Sequence, residues 1–142
     1  MNASSPSGAS VRVLVVDDFG PFLRLISSML QARPEWHIIC EVSDGVEAVQ
    51  KAEELRPDLI LLDVGLPKLN GIEAARRIGT VTPQCKILFV SQEPSADVVR
   101  EALRVGGRGY VLKARAQNDL LNAVEAVLQG KQFVSSGLAG HS

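Results

Sequence analysis

Five polar side chains in this 142-residue chain are of types that can act together on charge: Asp17, Asp18, Asp63, Ser91 and Lys113. Each follows a short apolar run, at residues 11–16, 59–62, 87–90 and 109–112. If those runs are neighbouring strands, three carboxylates, one hydroxyl and one ammonium meet at one edge. Carboxylates packed closely repel, and some take up protons unless a cation lies between them. Three acids against one lysine leave room for a divalent ion, which brings the local sum to zero. An oxygen-only donor set with no His or Cys at ligand spacing suits a hard ion such as Mg²⁺. Mg²⁺ held by a few carboxylates keeps positions for water and phosphate oxygens, so the chemistry this set fits is phosphoryl transfer.

The elements that must position these groups alternate along the chain. Residues 11–16 are mostly β-branched and read as a buried strand. Pro21 stands where a helix can begin, with Phe22, Leu25, Ile26, Met29 and Leu30 at helical spacing. Residues 36–42 form a second strand, and Asp44 with Glu47 makes a capping box before the stripe Ala48, Val49, Ala52 and Leu55. A third strand at 59–62 is wholly apolar, and Ile72, Ala75 and Ile78 mark a short helix. A fourth strand precedes a helix capped by Ser95 and closed at Gly106. A fifth strand at 109–112 precedes a helix that Asn118 is expected to cap. Five βα units with apolar strands imply an α/β fold, a doubly wound five-stranded parallel sheet covered on both faces. Ligands of such sheets bind beyond the carboxyl ends of the strands. Residues 1–10 read as a flexible N-terminal tail, 11–132 as the domain, and 133–142 as a C-terminal tail.

Composition narrows the function classes. Fifteen basic and sixteen acidic residues give a net charge of −1, which draws the chain to neither nucleic acid nor anionic lipid. No apolar run is long enough to span a bilayer, and the N-terminus has no secretory pattern. Cys40 and Cys85 fall on strands expected to be too far apart for a disulfide, which suits free thiols and a cytoplasmic location.

In order along the chain stand the acidic pair Asp17-Asp18, then Asp63 followed by Pro67 and Asn70-Gly71, then Ser91, then Tyr110 three residues before Lys113. This set resembles the receiver domain of two-component response regulators, over residues 11 to about 132. Receivers of the LuxR/NarL type are the most similar. The resemblance implies a CheY-like, flavodoxin-like three-layer sandwich with strand order 2-1-3-4-5. It implies that Asp63 accepts a phosphoryl group from a histidine kinase. Asp17, Asp18, Asp63 and the backbone carbonyl of Gly65 would hold Mg²⁺. Lys113 would pair with phosphoryl oxygens, Ser91 would hydrogen-bond them, and Tyr110 would change rotamer as Ser91 moves. The output would leave by the fourth helix, fifth strand and fifth helix, a face that could also form a homodimer. The protein would catalyse only its own phosphorylation and dephosphorylation rather than act as a metabolic enzyme. Too few residues follow Lys131 for a helix-turn-helix, so this chain is expected to bind no DNA itself and to touch no membrane.

Four positions depart from the family pattern: Gly65, Gln92, Ala114 and Gly107. The first two bear on the lifetime of the phosphoryl group, and Ala114 on how Lys113 is aimed. Taken singly, Asp18 could cap a helix, Ser91 a turn, and Tyr110 could be packing. Other readings are an Asp-nucleophile phosphatase, an interaction module that keeps only the fold, and the receiver of a larger DNA-binding regulator. The first lacks an acid two residues after the nucleophile, where Gly65 stands. Nucleotide or flavin binding lacks a Gly-rich loop after the first strand.

Overall fold

In the computed structural model, which describes residues 10–136 and 138, strands and helices alternate as the hydrophobic pattern predicts. The elements run β1 (Val11–Val16), α1 (Gly20–Leu30), β2 (Trp36–Val42), α2 (Gly45–Leu55), β3 (Leu59–Leu62), α3 (Gly71–Val81), β4 (Lys86–Ser91), α4 (Ala96–Arg104), β5 (Gly109–Leu112), α5 (Ala116–Leu128) and β6 (Phe133–Val134). All paired strands are parallel. Their order is β2-β1-β3-β4-β5-β6. The predicted order is thus present, extended by one strand.

Side chains alternate across the sheet and divide the core in two. Val13, Val15, Leu59, Leu61, Leu88, Val90 and Val111 face α1 and α5. Leu14, Val16, Ile60, Leu62, Ile87, Phe89 and Tyr110 lie in the opposite layer with α2, α3 and α4. β3, at the centre, is buried on both faces, which is why Leu59–Leu62 carries no polar residue.

Local chemistry fixes the helix starts. The Asp44 carboxylate accepts from the Glu47 N–H at 2.8 Å, the Asn70 amide oxygen from Glu73 at 2.9 Å, and the Ser95 hydroxyl from Val98 at 3.4 Å. α1 starts with Pro21 in its first turn and no side-chain cap. α5 departs from expectation. It begins at Ala116, not behind Asn118, because a 3-10 turn over Lys113–Arg115 already offers the Lys113 carbonyl to the Ala116 N–H.

The second departure is at the C-terminal end, expected to be a tail from residue 133. Phe133 and Val134 instead pair with Gly109 and Tyr110 as a sixth strand, and Ser135 and Leu138 are buried. A two-residue strand has no periodicity to read. Its seat is made by Gly109, where a Cβ would stand 2.8 Å from the Phe133 carbonyl oxygen. The expected N-terminal tail lies outside the described residues except for Ser10, which is exposed. Cys40 and Cys85 are free, and Cys85 is buried with its thiol donating to the Pro57 carbonyl at 2.8 Å.

Two glycines of α3 have opposite surroundings. A Cβ on Gly71 would lie 1.9 Å from the Asp63 carbonyl oxygen, whereas one on Gly79 would meet nothing within 4 Å. Gly71→Ala is expected to lose about 2 kcal/mol or more through this backbone collision. Gly79→Ala is expected to gain about 0.5–1 kcal/mol through helix propensity. Urea unfolding of both variants checks the pair, and equal effects would contradict the close approach at Gly71.

Candidate functional site

The carboxyl ends of β1 and β3 bring Asp17, Asp18 and Asp63 together, with one carboxylate oxygen from each within 4.8 Å of the others. Asp17 and Asp63 are buried, 1% and 6% exposed, while Asp18 is exposed. Lys113, just past β5, reaches across with its Nζ 2.8 Å from Asp17 Oδ2 and 3.3 Å from Asp63 Oδ2. The other Asp17 oxygen accepts from the Phe19 N–H at 2.9 Å. Asp17, rather than Asp18, therefore holds the turn into α1.

Burial pushes the Asp17 carboxyl above its usual value, and the Asp63 charge adds to the rise. The Lys113 hydrogen bond and the Phe19 N–H oppose it. For Lys113, burial pulls downward, but the Asp17 hydrogen bond and the charges of Asp63 and Asp17 outweigh it, so its pKa lies above the ordinary lysine value. The ammonium is thus held charged by the acids it separates.

The loop after Asp63 is fixed by backbone contacts. The Gly71 N–H donates to the Val64 carbonyl at 2.7 Å, and the Gly65 N–H points to Asp63 Oδ1 at 3.4 Å. Lys68 adopts a left-handed φ of 68°, which turns the chain. A Cβ on Gly45 would fall 1.8 Å from the Leu69 carbonyl oxygen, so α2 and this loop meet backbone to backbone. Asp18, Asp63, Gly65, Ser91 and Lys113 line an open cleft of about 600 Å³. Gln92, exposed, lines it too. The donor set, three carboxylate oxygens with one of the acids open to solvent, fits a hard divalent cation.

Ser91 is buried at the end of β4, and its Oγ accepts from the Glu93 N–H at 3.2 Å. The Tyr110 hydroxyl donates to the Glu93 carbonyl at 2.7 Å. Tyr110 is fully buried, with its ring stacked on Phe89 at 6.2 Å and 28°. Burial raises the phenol above its usual pKa, with the Ser91 hydroxyl opposing, so it stays a donor at neutral pH. All seven residues picked from the sequence therefore lie in the cleft or connect to it within two residue contacts. In the sequence Phe22 is one member of a helix stripe, yet the centre of its ring lies 4.7 Å from the Lys113 ammonium. Its position one turn past Asp18 is the signal that could have marked it.

Removing the lysine leaves two buried carboxylates facing each other. Lys113→Met is expected to destabilise the metal-free protein at pH 7 by about 3 kcal/mol. The double variant Lys113→Met/Asp17→Asn should recover most of that. A double-mutant cycle in urea measures the coupling, and strictly additive losses would contradict this account.

The chain is similar to known proteins in sequence and in fold. The family described as "Response regulator receiver domain" matches residues 13–125. The chain is 32% identical over 124 residues to the transcriptional regulatory protein DegU of Brevibacillus brevis, covering 87% of this chain and 52% of that protein. It is 35% identical over 128 residues to the transcriptional activator protein ExaE of Pseudomonas putida, covering 89% of this chain and 59% of that one. The chain thus spans little more than half the length of these relatives. Among solved structures, a LuxR-family two-component response regulator from Aurantimonas sp. SI85-9A1 superposes with a TM-score of 0.87 at 29% identity, over 92% of this chain and 94% of that one. The receiver domain of the putative response regulator NarL from Mycobacterium tuberculosis gives 0.81 at 26%, over 87% and 99%. A match that begins in β1, ends in α5 and takes in the acids, the serine and the lysine at one sheet edge places this chain in the response regulator receiver domain family.

Proposed function

We propose that this receiver takes a phosphoryl group onto Asp63 from the phosphohistidine of a histidine kinase. The observation that carries this reading is the placement of Asp63 between a lysine ammonium and two further carboxylates at an open cleft. An Asp63 oxygen attacks phosphorus as the bond to the histidine nitrogen breaks. The nitrogen leaves with the bonding pair and takes a proton from water, regenerating neutral imidazole. Asp18, Asp63 and the Gly65 carbonyl are the proposed holders of Mg²⁺, with Asp17 bound directly or through water. The ion's contribution is to offset charge on the transferring oxygens. Lys113 pairs with a phosphoryl oxygen that replaces part of its contact with Asp63. Ser91 Oγ, free to rotate, turns its proton to the new oxygens. Nothing in this set turns over a substrate. The position two residues past Asp63, where an Asp-nucleophile hydrolase would carry a second acid, is Gly65.

The signal then leaves by the face made of α4, β5 and α5, which also serves any homodimer. The curated relatives are named as transcriptional regulators, which supports reading this receiver as the controlling part of such a regulator. No helix among the described residues is long and apolar enough to cross a membrane, and we place the reaction in the cytoplasm.

Two outcomes test the reading. With Mg²⁺ and a small-molecule phosphodonor, intact mass should show one phosphoryl adduct on wild type, none on Asp63→Asn and none without Mg²⁺. An adduct that survives in Asp63→Asn would move the acceptor elsewhere. Mg²⁺ alone should stabilise the protein by about 2.7 kcal/mol at a hundred times its Kd. Asp18→Asn should lose most of that gain, and an unchanged gain measured by thermal unfolding would remove Asp18 from the metal site.

A further inference from the structure

One row of side chains crosses the sheet directly beneath the acids. Val42, Val16, Leu62, Phe89, Tyr110 and Val134 are successive register partners from β2 to β6. Register partners in parallel strands point to the same face. Tyr110 is therefore flanked by Phe89 on one side and by Val134 on the other. Its two ends serve different parts of the molecule. The hydroxyl reaches the Glu93 carbonyl, and the Glu93 N–H reaches Ser91 in the cleft. The Tyr110 carbonyl accepts from the Ser135 N–H at 2.9 Å.

Ser135 anchors the segment after β6. Its hydroxyl donates to Asp119 Oδ2 at 2.7 Å and accepts from the Leu112 N–H at 3.1 Å. Arg115 holds the same Asp119 oxygen at 3.1 Å. Leu138, 4% exposed, is buried in the cluster that contains Tyr110 and the α4 residues Val99 and Ala102. Residues 133–136 thus run along the edge of β5 with Ser135 tied to α5, while Leu138 lies on the α4 side.

We propose that residues 133–136, with Leu138, form a strap whose seating and the inward position of Tyr110 are one two-state element, coupled to the phosphoryl site. Without β6, β5 would be an edge strand and the Tyr110 ring could swing outward past it. Val134 and Leu138 fill that side. A seated strap and an outward Tyr110 exclude each other, so whatever favours one inward arrangement favours both. A phosphoryl group on Asp63 draws in Ser91 and with it the Glu93 turn that binds the Tyr110 hydroxyl. That tightens the strap. Coupling between sites is reciprocal, so unseating the strap must weaken phosphoryl binding by the same factor. The strap is short and rests on a few edge contacts, which places it among the parts of a fold that open at low cost. The β5 edge of the face through which the signal leaves is then built in part by the chain's own segment, and how firmly that segment is seated depends on the state of Asp63.

This inference rests on the reading that Asp63 carries the phosphoryl group, and the test separates the two. The probe is beryllium trifluoride with Mg²⁺, a stable stand-in for the phosphoryl group, added to the full chain. The Leu112 and Ser135 amides report the strap by hydrogen exchange, and β3 amides report the intact fold. Their exchange is expected to slow about fivefold or more when the probe binds. Ser135→Ala and Leu138→Asp should free those amides, leave β3 protected, and bind the probe at least about fivefold more weakly. Should Leu138→Asp fail to fold, Ser135→Ala carries the test. Probe binding that leaves both amides unchanged overturns the strap, as does wild-type affinity in a variant whose strap amides exchange freely. Failure of wild type to bind the probe overturns the phosphoryl-site reading and this inference with it.

Discussion

Like-charge repulsion at the carboxyl end of the sheet is the constraint around which this molecule is organised. Three carboxylates stand within 4.8 Å of one another, two of them buried, with a single ammonium between them. Such a cluster is unfavourable in isolation and persists because rigid elements hold it. β1 and β3 are buried strands that cannot shift without unpacking both core layers. The loop after Asp63 is held by two glycines that permit backbone contact, Gly45 against Leu69 and Gly71 against Asp63. Lys113 is fixed from below by the Phe22 ring and from its sides by the acids. The negative charge that Lys113 leaves uncompensated is what suits this cleft to a hard divalent cation.

The same rigidity ties the cleft to a distant edge of the sheet. Packed interiors deform between discrete arrangements rather than continuously. Here Phe89 and Tyr110 pack as a stacked pair. Phe89 needs the space that Gly107 leaves, since a Cβ on Gly107 would stand 2.7 Å from the ring. The departure from the family's usual residue at Gly107 is thus matched by a bulky aromatic on β4. That aromatic in turn backs the Tyr110 ring. Tyr110 connects the Ser91–Glu93 turn to β6 through its hydroxyl and its carbonyl, so one residue serves both the cleft and the sheet edge.

Much of this was legible in the sequence because the determining signals are strong and local. A wholly apolar LILL run can only be a strand covered on both faces, and a polar residue ending each such strand must lie at the same sheet edge. Asp44 and Ser95 are cap residues by chemistry as well as by position. The features that sequence did not disclose depend on tertiary partners. Phe22 has the same periodicity as any core residue, and only the path of Lys113 makes it a support for an ammonium. Ser135 looks like part of a Ser- and Gly-rich end until Asp119 and Leu112 are placed beside it. Asn118 has the right chemistry for a cap, but the 3-10 turn before α5 had already supplied the acceptor that makes a cap unnecessary.

Gly65 and Gln92 shape the solvent side of the cleft. Hydrolysis of an acyl phosphate requires water in line with the phosphorus and a group to orient it. The chain offers no titratable side chain at the position two residues past Asp63, and the space where a Cβ would project from Gly65 is empty to 4 Å. That side is open to solvent, and the carboxylates lining the cleft are those of Asp18, Asp63 and Glu93. Gln92, exposed beside Ser91, contributes an amide that can hydrogen-bond without acting as a base. The acids and the lysine are therefore held by the packed framework of the sheet, whereas Gly65 and Gln92, both exposed, lie outside it.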